Sequence, residues 1–162
     1  MEPVKYVDLL NQRYRQQGFP PYEWTINTDA PLTAPAKPLA EARVAMLTSG
    51  GVAHCSMPEW DAFARNDFRL DEVDPAAAAC DFTVNDSYYD TTDAGEDINC
   101  VFPIDRMREL AADGMIGSVA PRHWSGFMGR IYSRSKVLNE SGPALAEELH
   151  NDDVDLFLLV PA

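Results

Sequence analysis

The stretch VDLFLLVPA, Val154–Ala162, decides how the rest of the chain is read. Its centre, Leu156–Val160, is an unbroken apolar run with no polar alternation. Such a run suits a strand buried on both faces, as in the interior of a mostly parallel sheet. Parallel strands need crossover connections, usually helices, so helical periodicity is expected on either side of each strand. The segment before it, PALAEELHND, reads as a helix with Pro143 near its start. Further upstream, PRHWSGFMGRIYS (121–133) reads as a glycine-bearing turn followed by helical spacing, and MIGSVA (115–120) as a short strand. FPIDRMRELAADG (102–114) reads as a helix: Pro103 suits its first turn, Ile104, Met107, Leu110 and Ala111 share one face, and Gly114 stops it. CDFTVN (80–85) and FRLDEV (68–73) read as strands. ARVAMLTSGGV holds a buried strand at Val44–Thr48, followed by the flexible turn Ser49-Gly50-Gly51. Strands and helices alternate with short links. This predicts an α/β domain over residues 41–162: three-layer, with a doubly wound parallel or mixed sheet flanked by helices.

Residues 1–40 read differently. Val4, Val7, Leu10 and Tyr14 repeat at helical spacing across 3–17, and Gly18 with Pro20-Pro21 ends the pattern. Pro20, Pro21, Pro31, Pro35 and Pro38 make the following segment an extended arm. Tyr22 and Trp24 within it call for an apolar surface, in the same domain or in a second subunit.

The 162 residues suffice for one domain with its own core, and the formal net charge is −13. That charge argues against nucleic acid and against an anionic membrane surface as partners. No apolar run reaches the ~18 residues of a membrane span, and no secretory leader is evident, so a cytoplasmic location is expected. Three dispersed cysteines, Cys55, Cys80 and Cys100, with no CxxC, favour neither a disulfide framework nor a zinc site.

Chemistry is sought at the strand ends, where α/β sheets bind ligands. Ser49, Gly50 and Gly51 follow the first strand, and their backbone N–H groups suit a carboxylate or phosphate. A full GxGxxG and a Walker lysine are both missing, so no nucleotide is indicated and no cofactor is expected. NDSYYDTTDAGEDIN (85–99) is an acidic loop whose Asp86, Tyr89 and Asp90 follow a predicted strand; a substrate ammonium group or a hard cation fits its oxygen-rich character, and so does a merely solvated loop. The EF-hand spacing is lacking, and no metal site is assigned. His123 lies beyond the MIGSVA strand and is a candidate for proton transfer near neutral pH.

Taken together, VAMLTSGGV, YDTTDAGEDINCVFPIDRMRELAADGMIG (Tyr89–Gly117), HWSGFMG and VDLFLLVP resemble the selenoprotein B family of glycine, sarcosine and betaine reductases and the related D-proline reductase subunits. The resemblance covers residues 43–162. It implies reductive cleavage of a C–N bond in a small amino acid or amine. It also implies a selenocysteine or cysteine directly after the strand that ends Leu-Val-Pro-x, acting as a low-pKa nucleophile, with thiols completing the reduction by exchange. Ala162 occupies the position before that residue. The nucleophile is therefore expected beyond residue 162 or on a partner chain, in an oligomer. Ser49, Gly50, Gly51, Asp86 and Tyr89 would bind the substrate, with His123 and Asp90 as the catalytic pair. The family tends to carry histidine around NDSYYD, where this chain has Asn85, Asp86 and Tyr88. The alternative expectation is a non-catalytic binding or assembly subunit of a hetero-oligomer.

Overall fold

A computed structural model describes residues 6–21, 28–29 and 32–162. The expectations for Val4, Tyr22 and Trp24 lie outside the described residues. The chain divides into two compact units, Met1–Ala34 and Pro35–Ala162.

In the first unit, α1 spans Tyr6–Gln16. Gly18 at φ +80 ends it, a left-handed conformation that glycine adopts at little cost. Phe19 turns back to pack edge-on against Tyr14, with ring centroids 6.2 Å apart.

The second unit carries, in order, β1 (Arg43–Thr48), β2 (Val52–His54), β3 (Leu70–Val73), β4 (Phe82–Val84), α2 (Thr92–Glu96), α3 (Ile104–Ala112), β5 (Ser118–Val119), β6 (His123–Gly126), α4 (Arg134–Lys136), a π-helical segment Val137–Ser141, α5 (Gly142–Asn151) and β7 (Leu156–Val160). The main sheet is mixed and flanked by helices, as the alternation predicts. β1 is central. It pairs in parallel with β7 from Val44↔Leu156 to Thr48↔Val160 on one side. On the other side it pairs with β5 near its start (Val44↔Val119) and β6 near its end (Leu47↔Trp124). β3 extends the sheet antiparallel to β6, with Val73 opposite His123.

Alternate residues of β1 enter two different cores, as a two-fold side-chain period requires. Val44 and Met46 join Phe102, Ile104, Met107 and Ile116 in one cluster. Ala45 and Leu47 join Trp124 and Leu145 in the other, with Phe157 packed against it. The amphipathic face read from FPIDRMREL is thus the one that buries Ile104 and Met107, and Gly114 stops that helix region at φ +69.

Two segments differ from the sequence reading. HWSG is a strand, not a turn. Its polar side chains hide its character, and it becomes a strand because β1 and β3 supply pairing partners on both sides. CDFTVN contributes β4, but among the described residues β4 pairs only with β2, as a separate antiparallel ribbon (Val52↔Val84, His54↔Phe82). Among the described residues, no helix is long and apolar enough to cross a membrane.

Candidate functional site

The carboxyl ends of β1, β6 and β7 come together with the turn that follows β4. β1 ends in Thr48, a fully buried hydroxyl that donates to the Val101 carbonyl at 2.7 Å and accepts from the Gly50 N–H at 3.1 Å. This bond closes the Ser49–Gly51 turn onto its own strand. Gly51 sits at φ +67, and a Cβ there would run into the Asn85 carbonyl. The Asn85 N–H donates to the Gly51 carbonyl at 2.9 Å, so the β2–β4 ribbon pins the turn from the other side. Tyr89 reaches across and donates its hydroxyl to the Gly50 carbonyl at 2.7 Å. Burial, reinforced by the Asp86 carboxylate, pushes the Tyr89 phenol up to about 12.

The last residues of β7 complete the cluster. The Ser49 N–H donates to the Val160 carbonyl at 3.2 Å, and the Ala162 N–H to the Ser49 hydroxyl at 3.4 Å. A Cβ on Gly50 would lie 3.2 Å from both the Ala162 Cβ and the Tyr89 hydroxyl. Glycine at this position leaves room for the Ala162 Cβ and the Tyr89 hydroxyl. Beyond β6, Phe127 (φ +53) and Arg130 (φ +65) hold left-handed conformations that bulky residues rarely adopt. Such backbone strain persists only where the surroundings over-determine it, and it concentrates at binding and catalytic loops. Met128 between them packs with Trp60 and Ala53, its methyl 3.2 Å from where a Gly51 Cβ would stand. This turn has no sequence signature: nothing in FMGR marks two non-glycine residues for positive φ.

Ser49, Gly50, Gly51 and Tyr89 therefore converge, and Asp86 lies close enough to act on the Tyr89 phenol. Asp86 accepts the Tyr88 N–H at 2.7 Å. Asp90 is committed locally: it accepts from the Thr92 N–H and hydroxyl, which holds its carboxyl below the usual carboxylate range. Asp97 does the same with Asn99. The acidic stretch thus shapes its own turns and short helices. Among the described residues, no group of three or more His, Cys, Asp or Glu side chains is placed to hold a metal ion.

His123 stands apart, inside β6 and fully buried. β5 and β6 meet β1 at its two ends and leave Met46 between their ladders. His123 fills that gap, its Nδ1 accepting the Met46 N–H at 3.2 Å. Accepting at Nδ1 leaves the ring hydrogen on Nε2, which has no partner among the described residues. Burial, aided by the Arg108 charge, pulls the imidazole down to about 4, so it is neutral at pH 7. That environment gives His123 a supporting place in the sheet and no imidazolium proton to hand over.

A first prediction arises here. Tyr89→Phe removes one half-buried hydrogen bond and lowers stability by about 1 kcal/mol. Ultraviolet titration of the parent should show one tyrosine ionising near 12, absent from Tyr89→Phe. An unchanged titration curve would mean that another phenol is the perturbed one.

Comparison with known proteins gives the family of the chain. The family described as glycine/sarcosine/betaine reductase selenoprotein B matches residues 4–162. D-proline reductase subunit gamma of Acetoanaerobium sticklandii is 38% identical over 140 residues, 86% of this chain and 53% of that protein. Glycine reductase complex component B subunit gamma of Symbiobacterium thermophilum is 31% identical over 80% of this chain and 30% of that protein. Sarcosine reductase complex component B subunit beta of Peptoclostridium acidaminophilum is 26% identical over 94% of this chain and 36% of that protein. The chain thus spans about half the length of the first relative and about a third of the other two. No solved structure matches. With the match running through every described residue, the chain belongs to the glycine/sarcosine/betaine reductase selenoprotein B family.

Proposed function

We propose that this chain forms part of the substrate site of a multi-subunit reductase that cleaves the C–N bond of a small amino acid or amine, of the glycine, sarcosine or proline type. The observation that carries the proposal is the packing of Ala162 against Gly50, beside Ser49 and Tyr89. A residue joined to Ala162 would emerge at the carboxyl ends of β1 and β7, where α/β sheets hold ligands. In this reading the Ser49–Gly51 turn offers the substrate carboxylate the Gly51 N–H and the Ser49 hydroxyl, the Ser49 and Gly50 N–H groups being held by the Val160 carbonyl and the Thr48 hydroxyl, and Asp86 and Asp90 attract its ammonium group. Tyr89 keeps the turn in place, and His123 supports β1 and β6 beneath it.

The nucleophile comes from outside residues 1–162, as a selenolate or thiolate. It attacks the carbon that bears nitrogen; the new bond to carbon forms as the C–N bond breaks, and the electron pair leaves on nitrogen, which takes up a proton. A dithiol then attacks the selenium or sulfur. The bond to carbon breaks with its electron pair on carbon, which is protonated, and the dithiol departs as a disulfide.

The test has two arms. Saturation-transfer NMR with glycine, sarcosine, betaine and D-proline should show binding of at least one, lost in Gly51→Ala. The chain alone, with dithiol present, should release no amine from any of them. Turnover by the isolated chain with all three cysteines alkylated would overturn the reading, as would failure of all four ligands to bind both this chain and its complex with a subunit that carries the reactive residue.

A further inference from the structure

β7 is an unfinished edge. Along its whole length it pairs with β1 on one side, and among the described residues it has no partner on the other. Leu158 is 42% exposed on one face and Leu159 61% exposed on the other. A parallel strand that is apolar on both faces belongs in a sheet interior. A bare, flat, apolar edge is an aggregation hazard that folded proteins cover.

The face on which the cover must lie follows from the connections already made. The path from β1 to β5 moves one way across the sheet and passes through α3, which shares its core with Val44 and Met46. The path from β6 to β7 moves the other way and passes through α5, whose Leu145 shares a core with Ala45 and Leu47 on the opposite face. The reversal of direction with the reversal of face gives both crossovers one hand, as βαβ units require. A further step past β7, in the same direction and of the same hand, returns its helix to the face of Phe157 and Leu159.

That face is open. An apolar groove of about 440 Å³ runs between α5 and β7, lined by Leu47, Phe127, Val137, Leu145, Phe157 and Leu159. Ser49 and Pro161 stand at its rim. The π-helical turn Val137–Ser141 shapes its far wall, and Gly142 there passes close to the Val137 carbonyl. Widened turns of this kind often mark functional positions in helices.

We infer that this groove and the free edge of β7 receive a helix followed by a parallel strand, contributed by the polypeptide that the longer family members carry beyond the span of this chain. Three observations select that occupant. The matched span makes up 53% and 30% of two relatives, so the family carries further polypeptide. Pro161 lies at the rim and Ala162 is held against Ser49, so a segment joined there starts at the groove's mouth and needs no linker. The formal charge of −13 sets two copies of this chain against each other, and two-fold pairing of one edge with itself runs antiparallel. The inference rests on family membership and on topology, and it stands or falls separately from the reaction proposed above.

The experiment joins the unmatched portion of the Acetoanaerobium sticklandii D-proline reductase subunit gamma to Ala162 and compares this fusion with the chain alone. Amide hydrogen exchange is read at Leu156–Val160. The fusion should slow exchange there at least ten-fold, and Leu159→Lys should reverse the effect while exchange in β1 stays slow. Sedimentation of the chain alone should show a monomer. A dimer with β7 already protected would make a second copy the occupant and overturn the inference. A fusion that is folded by circular dichroism but leaves β7 exchange unchanged would overturn it too. Should the fusion not fold, the same exchange is measured on the intact subunit gamma; fast exchange in its strand matching Leu156–Val160 would refute the inference.

Discussion

Gly51→Ala is expected to lower the unfolding free energy by about 3 kcal/mol or more and to abolish ligand binding at the strand ends. Two costs add. The left-handed φ of +67 disfavours any residue with a Cβ, by roughly 1–2 kcal/mol. The Cβ itself would collide with the Asn85 carbonyl, which is backbone and cannot rotate away. Relief would require the β2–β4 ribbon to withdraw, breaking the bond from the Asn85 N–H to the Gly51 carbonyl. The Met128 methyl, wedged beside Trp60, blocks the other escape. Urea melts give the stability, and exchange of the Asn85 amide reports on the ribbon. Gly95→Ala is the control: no atom approaches within 4 Å of a Cβ there, so it should be neutral or slightly stabilising in its short helix. Equal melts for Gly51→Ala and the parent would mean that the turn is free of Asn85.

Why Gly51 carries this load was half legible in the sequence. Ser-Gly-Gly after an apolar run announces a turn at a strand end, and the structure puts one there. What the sequence did not announce is the ribbon that closes over it. Val52–His54 and Phe82–Val84 are three-residue strands, too short for alternation to register, and their pairing is set by contact at a distance. β1, α3, α5 and β7 were legible because each has a continuous apolar run or a helical stripe bounded by proline or glycine. β6 was not: His123, Ser125 and Gly126 look like a turn, and only burial between β1 and β3 makes them a strand. Ser125 shows the cost of that burial, since its hydroxyl must find a backbone partner and donates to the Val52 carbonyl at 2.5 Å. The acidic character of residues 85–99 is plain in the sequence, but Asp86, Asp90 and Asp97 each serve an N–H group two residues on, a use that composition cannot distinguish from ligand binding.

His123 gives the second large effect, and its sign follows from the direction of its shift. The folded imidazole titrates near 4, below the ~6.5 of an unfolded histidine. Its neutral form is the one the fold accepts. Above about pH 6.5 both states are neutral and the fold has its full stability. As pH falls below 6.5 the unfolded chain takes up a proton that the folded chain refuses, so stability declines until the folded group also titrates near 4. Between pH 7 and pH 4.5 the loss attributable to His123 is roughly 2 to 3 kcal/mol. The depressed carboxyls of Asp90, Asp97 and Asp155 act lower down: each favours the fold in its charged form, and that contribution is lost as pH falls below the ordinary aspartate range of about 4. The two windows therefore separate. His123→Asn keeps an acceptor where Nδ1 stands, so Met46 retains its bond, and the group that titrates is gone. This variant should be somewhat less stable at pH 7, because a smaller side chain leaves space beside Phe102, whose ring meets the imidazole edge-on at 6.2 Å. Its stability should be nearly flat from pH 7 to pH 4.5. The NMR signal of the His123 ring in the parent should stay at its neutral position down to pH 5. A parent curve without the decline would mean that the folded imidazole titrates near its ordinary value, which would restore it as a candidate for proton transfer, and a His123→Asn curve that keeps the decline would assign it to other groups.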